Sequence, residues 1–292
     1  HCQINPGVML NYLLYRIGEA LALSLTSRVL YGLAKTVSTL QYLFSKQDRV
    51  AVRENLKAIF PDIDRRLLEK YTKGVFINFG LYLANFLRFK KIDLNYINKH
   101  LVIEGLEEVD KALARKKGLI ILSGHIGNWE LGGIALGLLG YQINAITLTH
   151  KDPKVNQFFN RQREEKGLKV IPLGRAVRGC LEAFSRNEIV CILGDRDFTQ
   201  GGIVVNFFGR PAMIPKGPAV FFLKNNVPIV MALSAQEDSD KFRLSFSPPI
   251  QFRPSGNYEE DLVSFTQNYL KQIEDSIREF PWQWAMFRRF WL

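Results

Sequence analysis

The fold turns on Gly118-Leu119-Ile120-Ile121-Leu122-Ser123-Gly124-His125-Ile126-Gly127-Asn128-Trp129-Glu130. Its first six residues are a short, nearly unbroken apolar run, the pattern of a strand buried on both faces. The glycines around His125 then allow a sharp turn, and Asn128 supplies a side-chain oxygen to cap a helix expected over 128–139. A strand ending in a polar turn that re-enters a helix is one half of a parallel α/β unit.

Outward from this unit the alternation continues. Strand-like runs stand at 101–103, 143–149, 168–171, 189–193, 203–207, 227–233 and 242–246, with helical segments near 154–166, 175–186, 216–225 and 258–279. The expected fold is α/β: a mostly parallel central sheet covered by helices, preceded by an N-terminal helical, membrane-associating segment. Residues 47–88 read as helical, with Pro61 ending one helix and Asp62 or Asp64 capping the next. Residues 1–95 form the helical, membrane-associating part and 96–292 the α/β core. No repeat or flexible linker separates two halves, although 247–256 is a turn-rich connection.

The chain has 292 residues, 47% of them apolar, and a formal charge of +11, which excludes a disordered polar tail. Most of the excess is N-terminal, with 15 basic and 7 acidic side chains in residues 1–100. The same third holds an apolar stretch, 8–44, interrupted by Arg16, Glu19, Arg28 and Lys35. Those charges break it too often for a bilayer span, so it reads as an interfacial segment drawn to an anionic membrane surface; packing as a helical hairpin is the alternative. Residues 1–7 read as a leader foreign to the protein, with Met9 a candidate native start. Cys2, Cys180 and Cys191 make an odd count without a C-x-x-C spacing, and the four histidines are scattered. The chain is therefore read as reduced and intracellular, and no metal is expected.

His125 falls at the carboxyl end of a strand, where open α/β sheets bind ligands. Glu130 is read as folding back to hydrogen-bond one ring nitrogen, leaving the other to accept a proton. That is a base with its orienter and no serine, so the nucleophile is the substrate's own hydroxyl. Asp195-Arg196-Asp197 follows another apolar strand and is expected to face the same crevice and bind substrate. Gly209, Arg210, Lys216 and Gly217 bring cations and backbone amides to a turn before an apolar helix, where an oxyanion or phosphate would be held. Cys191 lies within a strand and Ser123 lacks a G-x-S-x-G elbow, so direct transfer is favoured over an acyl-enzyme.

Taken together, Gly124-His125 through Glu130, Asp195-x-Asp197, Phe207-Phe208-Gly209-Arg210-Pro211 and Gly217-Pro218-Ala219 resemble successive blocks of the lysophospholipid-type acyltransferases. The likeness is to the branch holding the bacterial lipid A lauroyl and myristoyl acyltransferases and the mycobacterial phosphatidylinositol mannoside acyltransferase, and it runs from about residue 45 to the C-terminus. It implies an enzyme of the bacterial inner membrane, with its active site on the cytoplasmic side. That enzyme moves a fatty acyl chain from an acyl-carrier-protein or coenzyme A thioester to a hydroxyl of a glycolipid, such as a lipid A precursor. No cofactor beyond the thioester is implied.

By the same resemblance His125 is the general base, Glu130 its partner and Arg163 a substrate-binding arginine. His150 stands where many members have arginine, with Lys151 as a substitute, and Phe287 stands where histidine is frequent. The C-terminal Trp282, Trp284, Phe287, Phe290 and Trp291, with Arg288 and Arg289, suit either an interface anchor or a core-packing tail, and are given no catalytic role. Two competing functions remain: a non-catalytic membrane-surface or nucleic-acid-binding protein, and a thioesterase using the same base. The coupling of basic to apolar residues disfavours nucleic acid.

Overall fold

The computed structural model describes residues 6–199, 201–238 and 240–292, with side chains of the first helix from residue 11 onward. His1, Cys2 and most of the leader lie outside the described residues. Helices α1 (Pro6–Ser24), α2 (Ser27–Phe44), α3 (Lys46–Ile59) and α4 (Arg65–Leu87) come first. Phe60 and Pro61 end α3. Asp64 rather than Asp62 caps α4, accepting from the Arg66 and Leu67 amides at 2.8 and 3.0 Å.

The α/β part follows as α5 (Leu94–His100), β1 (Leu101–Glu104), α6 (Leu106–Leu113), β2 (Leu119–Ser123), α7 (Trp129–Leu138), β3 (Ile143–Thr147), α8 (Pro153–Glu164) and β4 (Leu168–Pro172). It continues through α9 (Ala176–Ser185), β5 (Ile189–Leu193), β6 (Ile203–Phe207), β7 (Arg210–Ile214), α10 (Gly217–Asn225), β8 (Ile229–Asp238), β9 (Lys241–Phe246) and α11 (Tyr258–Glu279). Seven strands form one sheet in the order β1-β9-β8-β2-β5-β3-β4, parallel throughout except for the β8–β9 hairpin. The mixed α/β, mostly parallel expectation holds.

The apolar run of β2 is continuous because both of its faces are covered. Leu119 and Ile121 pack with α7 and α8 residues such as Leu131, Ile134 and Phe158. Ile120 and Leu122 face the opposite layer, with Cys180 and Phe184 of α9, Phe221 of α10, and Phe265 and Tyr269 of α11. A third, smaller cluster holds α3 to α4 through Val52, Leu56, Val75 and Phe76.

Two elements differ from the sequence expectation. The short helix α6 was not foreseen, and residues 210–214, read as a turn, form β7, which pairs antiparallel with β6 away from the main sheet. Pro211 tolerates this place because a two-stranded edge leaves some backbone donors unneeded. Phe208 and Gly209 both have positive φ, 52° and 77°, as a two-residue primed hairpin turn demands. Gly209 and Arg210 are thus spent on a hairpin tip.

The two N-terminal helices each pack on α4, with α1 also against α8, and bury Ala22, Leu30 and Tyr31. Glu19, 3% exposed, ties α1 to the rest through Lys90 and Gln162, both at 2.9 Å. The outward side keeps a row of large apolar residues exposed, including Leu14, Ile17, Leu33, Val37 and Phe44. No described helix is long and apolar enough to cross a membrane. The C-terminal tail is core: Trp284 and Met286 are buried, and Phe287 packs edge-on against Phe76 and Phe79.

Candidate active site

β2 and β5 are parallel neighbours in register, with Ser123 beside Leu193. Each strand continues through a glycine, and the Gly194 amide donates to the Ser123 carbonyl at 2.7 Å. The chains therefore remain side by side for two more residues, which are His125 and Asp195. The imidazole Nδ1 lies 2.7 Å from Asp195 Oδ1, and the His125 amide donates to Oδ2 at 3.0 Å. Trp284, on the C-terminal tail, donates its indole Nε1–H to the same Oδ2 at 3.0 Å.

Asp195 is fully buried. Burial by itself pushes its carboxyl up, but the charge of His125 and the hydrogen bonds from His125 and Trp284 outweigh this, so it is held below the usual carboxylate range. An ionised carboxylate only accepts, so neutral His125 carries its proton on Nδ1 and keeps the lone pair on Nε2.

The expected Glu130–His125 contact is not what forms. Asn128 caps α7 by accepting from the Leu131 amide at 3.1 Å, and the helix then turns Glu130 towards α8. There Arg163 grips it: Nε donates to Oε1 and Oε2 at 3.1 and 3.0 Å, and Nη2 to Oε1 at 2.5 Å. Both residues are buried, and a buried guanidinium claims the nearest carboxylate because an unpaired charge there costs several kcal/mol, about 3–5. Asp195 has already taken the imidazole. Trp129 fills the space beside it, stacked on Tyr82 at 4.3 Å and edge-on to His125 at 5.2 Å.

A cavity of about 920 Å³ opens at this sheet edge, lined by His125, Glu130 and Arg163. One limb runs between α7 and the sheet, with Gly132 and Gly133 on its helix side and Ala145 and Cys191 on its sheet side. Small residues on both walls leave the room that larger ones would fill. The mouth is polar, with Arg175, Arg178, Arg196, Asp197, Lys216 and Gly217 in its wall.

Gly209 and Arg210 are not in that wall. Lys151 is exposed and also outside it, whereas His150 lines the cavity, stacked on Phe159 at 4.6 Å. Cys191 is half-buried in the cavity wall and its thiol is pushed up to about 12 by desolvation, with Glu130 adding to it, so it stays protonated and unreactive. Among the described residues no group of three or more His, Cys, Asp and Glu side chains is placed to hold a metal ion.

Sequence reasoning placed Asp195 near His125 but gave it a substrate-binding role. The missed signal was the matched pair Ser123-Gly124-His125 and Leu193-Gly194-Asp195, two strand ends of equal length. Trp284 had no such signal, since 89 residues separate it from Asp195.

A carboxylate-held imidazole beside a long apolar limb suits an enzyme that handles acyl chains, and the chain's relatives are acyltransferases. The model of the bacterial lipid A biosynthesis acyltransferase family matches residues 6–292, and the chain belongs to that family. It is 27% identical over 221 residues to a phosphatidylinositol mannoside acyltransferase of Mycobacterium tuberculosis, covering 74% of this chain and 68% of that protein. It is 24% identical over 271 residues to the lipid A biosynthesis palmitoleoyltransferase of Escherichia coli, covering 89% and 84%. A lipid A biosynthesis acyltransferase of Haemophilus influenzae is 23% identical over 248 residues, covering 82% and 74%.

Because the folded state holds the Asp195 carboxyl below its unfolded value, its stabilising contribution is complete above that unfolded value, about pH 3.9, and is lost as pH falls through the folded one. Asp195→Asn is expected to fold at neutral pH with a lower urea midpoint and a shallower loss of stability as pH falls below about 4. An unchanged acid profile, read by circular dichroism, refutes the assignment of Asp195 as a charged hub.

Proposed function

We propose that the protein moves a fatty acyl chain from an acyl-carrier-protein or coenzyme A thioester directly to a hydroxyl of a glycolipid, with His125 as general base. The observation that carries this reading is the 2.7 Å Nδ1–Oδ1 contact between His125 and buried Asp195. It leaves Nε2 free to take the acceptor's hydroxyl proton. The alkoxide oxygen then forms a bond to the thioester carbonyl, the C–S bond breaks, and the imidazolium returns its proton to the departing thiolate.

Asp195 is the orienter in this scheme. It favours the imidazolium that forms in the transition state, and Trp284 fixes its second oxygen. Glu130 and Arg163 act as positioning residues that lock α7 to α8 and so hold the His125 turn. Lys216 and the first amides of α10 present positive charge at the mouth, suited to the developing oxyanion or a donor phosphate. The limb between α7 and the sheet takes the aliphatic chain.

The exposed apolar row on α1 and α2, together with the N-terminal excess of basic side chains, supports docking on an anionic membrane surface. The implied location is the cytoplasmic face of the bacterial inner membrane, with residues 1–95 as the docking part and 96–292 as the catalytic core. An acyl chain would then reach the cavity without crossing water.

Three outcomes test this reading. His125→Ala is expected to lower acyl transfer by about 10²–10⁴ while the protein still folds and binds vesicles. The product is read by mass spectrometry with labelled thioester and a total lipid extract. Free fatty acid alone, with lipid acceptor present, identifies a thioesterase instead.

Gly133→Leu puts a side chain into the limb at a helical site where glycine costs about 1 kcal/mol, so it is expected to shift preference to shorter donors without lowering the melting temperature. An unchanged chain-length profile removes the limb from the acyl path. The double variant Leu33→Asp, Val37→Asp is expected to sediment less with phosphatidylglycerol vesicles than the parent. Equal sedimentation argues against docking through α2.

A further inference from the structure

Arg196 in the cavity wall and Arg288 of the C-terminal tail are two guanidinium groups that the scheme above does not use. Arg196 and Arg288 lie against one aromatic side chain, with their Cζ atoms 4.5 and 5.2 Å from the ring centroid of Phe198. That ring is 6.4 Å, centroid to centroid, from the imidazole of His125. Both cations therefore stand one aromatic ring away from the base.

Gathering like charges here is unfavourable without an anion between them. Burial first, and then the charge of Arg288, bring the Arg196 guanidinium down to about 10. Other arginines nearby are answered by acids: Arg163 by Glu130, and Arg289 by Glu54 at 2.6 Å. Among the described residues no carboxylate stands within ion-pair distance of Arg196 or Arg288. The adjoining Asp195 is committed to His125 and Trp284. Arg196 Nε is buried without a hydrogen-bond partner. Arg288 is not a loose end either, because Asn55 donates to its carbonyl at 2.8 Å and accepts from the Phe290 amide at 3.2 Å.

We propose that Arg196 and Arg288 form a subsite for a phosphate ester on the headgroup of the acceptor lipid, next to the hydroxyl that His125 deprotonates. The role of that hydroxyl rests on the acyl-transfer reading. Two planar forks offer the bidentate donors that phosphate oxygens accept, and the half-open ring between them keeps the pair desolvated on one side. The distance favours the acceptor over the donor. With the thioester carbonyl at His125, a donor phosphate lies at the far end of the long pantetheine arm, well beyond Phe198, whereas a phosphate on the acceptor headgroup falls within one ring's breadth.

Calorimetric titration of the full chain with glucose 1-phosphate, glucose and coenzyme A tests the assignment. Glucose 1-phosphate is expected to bind and glucose not, with Arg196→Gln and Arg288→Gln each weakening the sugar phosphate by about tenfold or more and leaving coenzyme A unchanged. Arg289→Gln, which loses only its Glu54 partner, should leave both affinities as they were. Should Arg196→Gln fail to fold, exposed Arg288 carries the comparison alone.

The subsite is refuted if glucose 1-phosphate at millimolar concentration does not bind the parent protein. It is equally refuted if the losses fall on coenzyme A, or if Arg289→Gln matches them. Retained sugar-phosphate binding in His125→Ala separates the two proposals. Absent acyl transfer with intact arginine-dependent binding sinks the reaction and spares the subsite, while the reverse sinks the subsite alone.

Discussion

Asp195 is the joint on which the site depends. One fully buried carboxylate accepts from the His125 imidazole, from the His125 amide and from the Trp284 indole, and so binds the end of β2, the end of β5 and the C-terminal tail at a single point. Its ionised form survives burial because three donors meet its two oxygens. The tail returns the favour through the backbone, since the Ala285 amide donates to the His125 carbonyl at 2.8 Å. Imidazole, turn and tail are therefore mutually fixed before any substrate arrives, which is the preorganisation that proton transfer needs.

A second buried charge pair does different work. Glu130 and Arg163 face the same cavity but neutralise each other across α7 and α8. Their interaction holds the roof of the apolar limb against the helix beside it. Gly127 keeps the floor close: its φ is +65°, and a Cβ built there would run into the Ser234 carbonyl oxygen, so the turn can press onto β8 only without a side chain. Acid chemistry and apolar volume are thus built side by side, with Trp129 stacked on Tyr82 as the partition.

The contrast between the two tandem arginines of the tail is informative for the same reason. Arg289 meets Glu54 and is spent on structure, whereas Arg288 turns to Phe198 beside Arg196 without a carboxylate in reach. Two guanidinium groups on one ring without a carboxylate partner are a ready surface for an anion.

Local sequence determined a good deal by itself. Unbroken apolar runs at β2 and β5 can exist only where both faces are covered, and Asn128 and Asp64 mark helix starts through their own side chains, so the layered α/β order and the position of His125 at a strand end were legible from residue pattern. What the pattern did not contain was the choice of partner. Glu130 is five residues from His125 and Asp195 is seventy away, yet strand register set the distant carboxylate against the imidazole while helix geometry turned the near one to Arg163. The tail shows the same division, its aromatic composition fitting membrane or core equally until Trp284 met Asp195. Periodicity records which face of an element is buried, but which two buried groups meet is decided by how the elements pack.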